Sequence, residues 1–267
     1  SASFDSKGGC ILSQISVNNL TFYYDGSYDH IFENVSFQID TDWKLGLIGR
    51  NGRGKTTFLN LLLGKYEYKG SISSSVPFDY FPFPVEDVGK MTIDIVDDVD
   101  KNYELWKVCR ELNLLQTDCE VLYRPFETLS NGERTKVMLA VLFSKESSFL
   151  LIDEPTNHLD MEAREVLATY LKKKKGFILV SHDRYFLDQC IDHVMSINKA
   201  DIDVVQGNFS SWWENKNRQD AYELAENERL KGDIKRLTQA AKQKERWSNA
   251  VEKTKYQSGN KGGDINP

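Results

Sequence analysis

The sequence predicts an α/β domain on a mostly parallel sheet, followed by a long charged helix. Three observations carry this. From residue 149 onward, short apolar runs alternate with helical stretches, as in sheets covered on both faces. A glycine-rich loop at 49–56 lies between an apolar run and a helical one. Residues 208–256 contain no proline and a single glycine, Gly232.

Taken in order, residues 1–13 read as a flexible leader, and the polar, Gly/Ser-rich 1–10 do not resemble a secretory one. Strands are expected over 14–39, where Ile15, Val17, Leu20 and Phe22, then Val35, Phe37 and Ile39, alternate with polar residues around the Asp25-Gly26 turn. A buried strand at 43–48 feeds the glycine-rich turn, and a helix over 54–63 stops at Gly64. Further strands fit 67–73 and 78–81. One or two helices fit 91–115, with Ile95, Val99, Leu105, Val108 and Leu112 on the apolar face. A helix over 132–143 precedes strand 149–152, helix 161–171, strand 177–181, helix 185–190 and closing strands at 191–197 and 202–205. Gly207-Asn208 opens a helix to about Tyr256, ~70 Å long if continuous. Residues 258–267 read as a disordered end.

Composition narrows the class. The 267 residues are 40% hydrophobic and 28% charged, which excludes a wholly disordered chain. No apolar run approaches the ~20 residues of a membrane span, so no membrane insertion is expected. Cys10, Cys109, Cys119 and Cys190 show no metal spacing and read as reduced thiols of a cytoplasmic protein. Charge is uneven: residues 1–230 hold 25 Lys/Arg against 36 Asp/Glu, whereas 231–267 hold nine against four.

The chemistry concentrates in two motifs. Gly49-Arg-Asn51-Gly52-Arg-Gly54-Lys55-Thr56 fits GxxxxGK[ST] between a strand and a helix. Its backbone N–H groups make an anion nest at a helix start. Lys55 reaches the β- and γ-phosphates of a nucleotide, and the Thr56 hydroxyl suits Mg²⁺. Thr57 joins these as an ATP-binding candidate. The strand 149–152 ends in Asp153-Glu154-Pro155. Asp153 suits an outer-sphere Mg²⁺ contact, and Glu154 can polarise a water as general base. Leu129-Ser130-Asn131-Gly132-Glu133 begins a helix, so Ser130 and the Gly132 backbone form a second anion-binding start. Val180-Ser-His182-Asp-Arg ends a strand and puts His182 within reach of a γ-phosphate.

These segments, with Thr156-Asn-His-Leu-Asp160, follow the order of an ATP-binding cassette (ABC) ATPase, and the resemblance covers roughly residues 14–206. It implies a mixed sheet core, an antiparallel β subdomain and an α-helical subdomain at about 85–145, together with ATP and Mg²⁺ as ligands. It implies that Tyr24 stacks on adenine. Ser130, Asn131, Gly132 and Glu133 would act in trans as the signature, and Asp160 would sit in the adjoining D-loop. The uninterrupted Glu154-Pro-Thr-Asn-His-Leu-Asp160, Val-Ser-His-Asp-Arg-Tyr-Phe-Leu-Asp188 and Gln206-Gly-Asn-Phe-Ser resemble the ABC-F branch. In that branch two ATPase domains share one chain, joined by a charged linker that reaches into the ribosome near tRNA.

On that resemblance the chain is expected to be an ATPase domain at 14–207 plus a linker arm at 208–257, acting in the cytoplasm on ribosomal RNA or tRNA. Its second ABC domain would come from a C-terminal half or a homodimer. Residues 42–64 and 124–140 further resemble the subgroup that protects ribosomes from lincosamides, streptogramin A and pleuromutilins, implying antibiotic resistance. The competing class is the ATPase subunit of a membrane transporter. Two departures stand out. Asn131 replaces a signature glycine, where its tolerance of the left-handed conformation would let the loop form. Phe83 stands where a glutamine is usual and offers no oxygen to Mg²⁺. In the tail, Leu230, Ile234, Leu237 and Ala241 make a helical stripe suited to a partner arm, while the basic residues, Trp247 and Tyr256 suit RNA.

Overall fold

The computed structural model describes residues 14–26, 30–49, 54–145, 147–198 and 201–258, with side chains described as far as residue 247. The chain divides into two compact units, Ser1–Trp212 and Trp213–Pro267.

The first unit holds the strands β1 (Gln14–Phe22), β2 (Phe32–Asp40), β3 (Lys44–Ile48), β4 (Lys69–Ser74), β5 (Phe78–Phe81), β6 (Phe149–Asp153), β7 (Phe177–Val180), β8 (His193–Ile197) and β9 (Ile202–Gln206). Its helices are α1 (Lys55–Leu62), α2 (Thr92–Val99), α3 (Leu105–Leu114), α4 (Asn131–Ser144), α5 (Met161–Lys172) and α6 (Arg184–Cys190). The strands form two sheets. A small antiparallel one has the order β2-β1-β4, and a six-stranded one the order β5-β6-β7-β3-β8-β9. In the larger sheet β5, β6, β7, β3 and β8 are parallel, and β9 pairs antiparallel with β8.

Side-chain alternation explains why the central strands read as continuous apolar runs. In β6, Leu150 and Ile152 face a core shared with α3, α4 and α5, while Phe149 and Leu151 face one shared with α1 and the small sheet. Phe177 and Leu179 of β7 join the first core, Ile178 and Val180 the second. Both faces are dry, so nearly every residue of these strands must be apolar. Each such buried side chain contributes ~1.5–3 kcal/mol. The five parallel strands all point their C-terminal ends at one edge, where open α/β sheets bind ligands.

Residues 92–144 supply the helical part. Its helix α3 is tied to α5 by Glu111, which is fully buried. The Tyr170 hydroxyl donates to Glu111 Oε2 at 2.6 Å, and Lys174 pairs with the same oxygen. Burial, then the Glu111 carboxylate, push the Tyr170 phenol well above its ordinary pKa, so it stays a donor.

One expectation fails here. Cys109 and Cys119 are not separate thiols but a disulfide, with Cα atoms 5.4 Å apart. After α3 the chain reverses at Gln116, whose φ is +54°, and a 3₁₀ turn over Cys119–Tyr123 brings Cys119 back beside the helix. A ten-residue separation across a helix and a turn leaves no spacing signature. Cys190 is a buried free thiol, pushed up to about 12 by burial. Cys10 lies outside the described residues.

The second unit is the body of α7 (Phe209–Ser258), a 50-residue helix. Leu230, Ile234, Leu237 and Trp247 are all more than half exposed. Among the described residues, no helix is long and apolar enough to cross a membrane.

Candidate active site

A cavity of about 670 Å³ opens at the C-terminal edge of the large sheet, and Lys55, Thr56, Tyr80, Asp153, Glu154 and His182 line it. Three sheet strands and one helix start converge there.

The helix start is α1. Its N-cap, Gly54, has φ +94°, and a Cβ there would meet Ile31 Cγ2 at 2.7 Å, so both conformation and space require glycine. No side chain caps α1 and no acidic residue occupies its first turn. Lys55 Nζ donates to the Gly49 carbonyl at 2.8 Å. Burial lowers the Lys55 pKa, opposed by the carboxylates of Glu154 and Asp153. Thr56 is exposed to the cavity, whereas Thr57 is buried, its hydroxyl 2.7 Å from the Tyr24 phenol. Asn51 and Gly52, expected in the phosphate loop, lie outside the described residues.

Tyr24 lines the same cavity and sits edge-on to Phe22 and Tyr66, with centroids 5.1 and 5.9 Å away. Nothing in the sequence pattern singles out Tyr66, which is distant in the chain and follows α1.

The acidic pair follows β6. Glu154 N–H donates to Val180 O at 2.9 Å, extending the ladder to β7, and Glu154 itself has φ +50°. Left-handed backbone in a residue other than glycine is costly and clusters at functional sites. Glu154 Oε2 accepts from the His182 backbone N–H at 3.3 Å. His182 Nε2 lies 3.2 Å from Oε1, near enough for attraction but without hydrogen-bond geometry, so the buried Oε1 is left as an unused acceptor. Burial raises the Glu154 pKa. His182 opposes the shift, and Asp153 adds to it. A partly buried carboxylate at the cavity wall with an elevated pKa suits proton abstraction from water.

Asp153 Oδ2 accepts from the Tyr80 hydroxyl at 3.0 Å. Burial, then the Asp153 carboxylate, push the Tyr80 phenol up, which keeps it a donor. Sequence reasoning missed Tyr80. The signal was present in the 78–81 strand, whose alternation puts Phe78 and Tyr80 on the α1 side and Phe81 on the other. Phe83 packs against the helical core, away from the cavity.

Mg²⁺ prefers a few hard oxygen ligands completed by water and phosphate rather than an all-protein cage. Thr56 and Asp153, both lining the cavity, fit that preference. Among the described residues no group of three or more His, Cys, Asp or Glu is clustered as a metal cage.

The residues of the second motif are elsewhere. Ser130, Asn131, Gly132 and Glu133 begin α4 and do not line this cavity. Ser130 Oγ accepts from Glu133 N–H at 3.2 Å, and Glu133 Oε2 accepts from Ser130 N–H at 2.8 Å, a complete capping box. Arg124 Nη1 holds the other Glu133 oxygen at 2.9 Å. Burial draws the Glu133 pKa upward, but the Ser130 groups and Arg124 outweigh it and hold the carboxyl below its ordinary value. Asn131 is the first helical residue of α4 and needs no left-handed conformation, so its tolerance has a different cause from the one expected: the chain there is already helix, not loop. Asp160 caps α5, accepting from Ala163 N–H at 2.8 Å, and is likewise outside the cavity.

The chain is similar to known proteins of one broad family. A family model described as ABC transporter matches residues 32–157. The chain is 29% identical over 210 residues to ABC transporter F family member 2 of Arabidopsis thaliana, covering 76% of this chain and 31% of that protein. It is 33% identical over 181 residues to the ribosome protection protein VmlR of Bacillus subtilis, covering 65% and 32%. It is 29% identical over 254 residues to the energy-dependent translational throttle protein EttA of Haemophilus influenzae, covering 78% and 46%. The chain thus spans about a third of the length of the first two of these relatives. Among solved structures, a bacterial Atm1-family ABC exporter with ATP bound superposes with TM-score 0.63 at 17% identity, over 76% of this chain and 40% of that one. The fold is that of an ABC nucleotide-binding domain.

Proposed function

We propose that the cavity of this ABC-type domain binds ATP with Mg²⁺ and hydrolyses it as half of a composite site. The convergence of Lys55, Thr56, Asp153, Glu154 and His182 on one cavity carries the reading. The α1 start and Lys55 bind the phosphates, and Tyr24 stacks on the base. Thr56 and Asp153 hold Mg²⁺, which when bound neutralises charge on the phosphate oxygens. Glu154 takes the proton of the attacking water, and His182 contacts the γ-phosphate. The α4 start, with Ser130 to Glu133, serves the nucleotide of a second ABC domain, and Asp160 lies at that same junction. ATPase assays across protein concentration test this. A rate per chain that rises with concentration supports a composite site, and one that stays flat at full activity opposes it.

The partner in this reading is the ribosome, approached through α7, as an ABC-F protein would. Likeness to VmlR and EttA supports it, as do the exposed Trp247 and the basic excess after residue 230. Replacing Lys242, Lys244 and Arg246 by Ala should lower the salt slope of ribosome binding by ~0.7–0.9 for each phosphate left without its counter-charge. An unchanged slope would reduce α7 to a solvated helix. Co-purification with a membrane partner instead of ribosomes would favour the transporter class. Antibiotic protection is the finer reading. A susceptible strain carrying the full reading frame should tolerate more lincosamide, streptogramin A or pleuromutilin, and an unchanged inhibitory concentration would remove it.

A further inference from the structure

The register of the sheet makes Tyr80 and Asp153 neighbours. β5 and β6 are parallel with Tyr80 beside Leu151. Period-two alternation puts Leu151 and Asp153 on one face, the face that Tyr80 shares. The phenol reaches forward along that face and donates to Asp153 Oδ2 at 3.0 Å. Its ring is held in turn: it packs against the α1 core, and Lys65 Nζ lies 5.4 Å from its centroid. The hydroxyl is thus delivered by a fixed ring on a strand, not by a mobile loop. One Asp153 oxygen is thereby engaged, which sets the orientation of the carboxylate.

We propose that Tyr80 is a positioning residue of the nucleotide site, holding the Asp153 carboxylate in the orientation that a nucleotide-bound magnesium ion requires. The inference rests on the ATP reading above and deepens it. Mg²⁺ demands near-ideal octahedral geometry and keeps several waters, so a carboxylate held in advance would meet that water shell at lower entropic cost than one that swings. The role is specific: it concerns the metal-dependent part of nucleotide affinity and leaves the phosphate nest and the base stacking untouched.

The test is an equilibrium titration of the full chain with N-methylanthraniloyl-ATP, once in excess Mg²⁺ and once in excess EDTA. Tyr80→Phe keeps the ring and removes only the hydroxyl. It should weaken binding in Mg²⁺ by roughly three- to tenfold, the range of one net hydrogen bond, and leave binding in EDTA unchanged. Asp153→Asn should remove most of the Mg²⁺ dependence, and adding Tyr80→Phe to it should cost nothing more. Equal weakening in Mg²⁺ and EDTA would make Tyr80 a packing residue and overturn the proposal. So would no weakening at all, or additive effects in the double variant. A wild-type chain that binds the analogue in Mg²⁺ with no response to Tyr80→Phe defeats only this inference. A wild-type chain that does not bind it defeats the ATP reading as well.

Discussion

Helices α1 and α4 both start at a motif suited to anions, and they start in opposite ways. The first turn of α1 follows a left-handed glycine, has no side-chain cap and no acidic residue, and opens with Lys55. The first turn of α4 is closed by Ser130 and Glu133, with Arg124 clamped on the outside. A helix start without a cap gives up about 1 kcal/mol of capping energy and keeps its N–H groups for a diffusible ligand. A boxed start gains that energy and presents its polar groups in a rigid frame. The carboxylates repeat the contrast. Glu154 is raised by burial, whereas Glu133 is held low by the Ser130 and Arg124 groups that outweigh its burial. One start is uncapped beside the cavity, and the other is satisfied by its own capping box.

The largest effect that would break this contrast is catalytic. Glu154→Gln keeps the shape and, in the proposed mechanism, removes the base, so it should slow ATP hydrolysis by ~10²–10⁴-fold. A wild-type rate would take Glu154 out of the chemistry. Next comes the cap. Ser130→Ala should cost ~1 kcal/mol of unfolding free energy in urea titrations. Lys55→Ala should leave that free energy nearly unchanged, since burial disfavours the Lys55 charge by more than the Glu154 and Asp153 carboxylates favour it. Equal destabilisation by both would erase the distinction between the two starts.

The pH dependence sharpens it further. Glu133 is depressed in the folded state, so its stabilisation is full above the unfolded carboxylate pKa and is lost as pH falls through the folded one. The destabilisation by Glu133→Ala should therefore shrink on acidification. Glu154 is raised, so the folded state resists its ionisation. The penalty is absent below the unfolded pKa and complete above the folded one. Glu154→Gln should raise the melting temperature slightly at neutral pH, and the gain should disappear at acid pH. A drop in stability at neutral pH would contradict that sign.

Much of this was legible because it is periodic or local. The alternating faces of β6 and β7, the strand-loop-helix around Lys55 and the Asp153-Glu154 pair at a strand end follow from neighbours in sequence. The features that escaped depend on chain reversal or register. Cys119 returns to Cys109 through a left-handed Gln116, and Tyr80 reaches Asp153 across a strand pair 73 residues apart. The Glu133 box was partly legible as Ser-x-x-Glu, but Arg124 joins it from outside the helix. Asn131 misled because a glycine-like signature suggests a loop, whereas the chain there is already helical.

The central claim is that α1, not α4, binds nucleotide within this chain. Titration of the full chain with N-methylanthraniloyl-ATP and Mg²⁺ tests it most directly, comparing the parent with Lys55→Ala and Ser130→Ala. The account predicts that Lys55→Ala weakens binding by roughly 10- to 100-fold, the scale of a charged hydrogen bond to phosphate, while Ser130→Ala leaves it unchanged. Equal weakening in both variants, or unchanged affinity in Lys55→Ala, would contradict it.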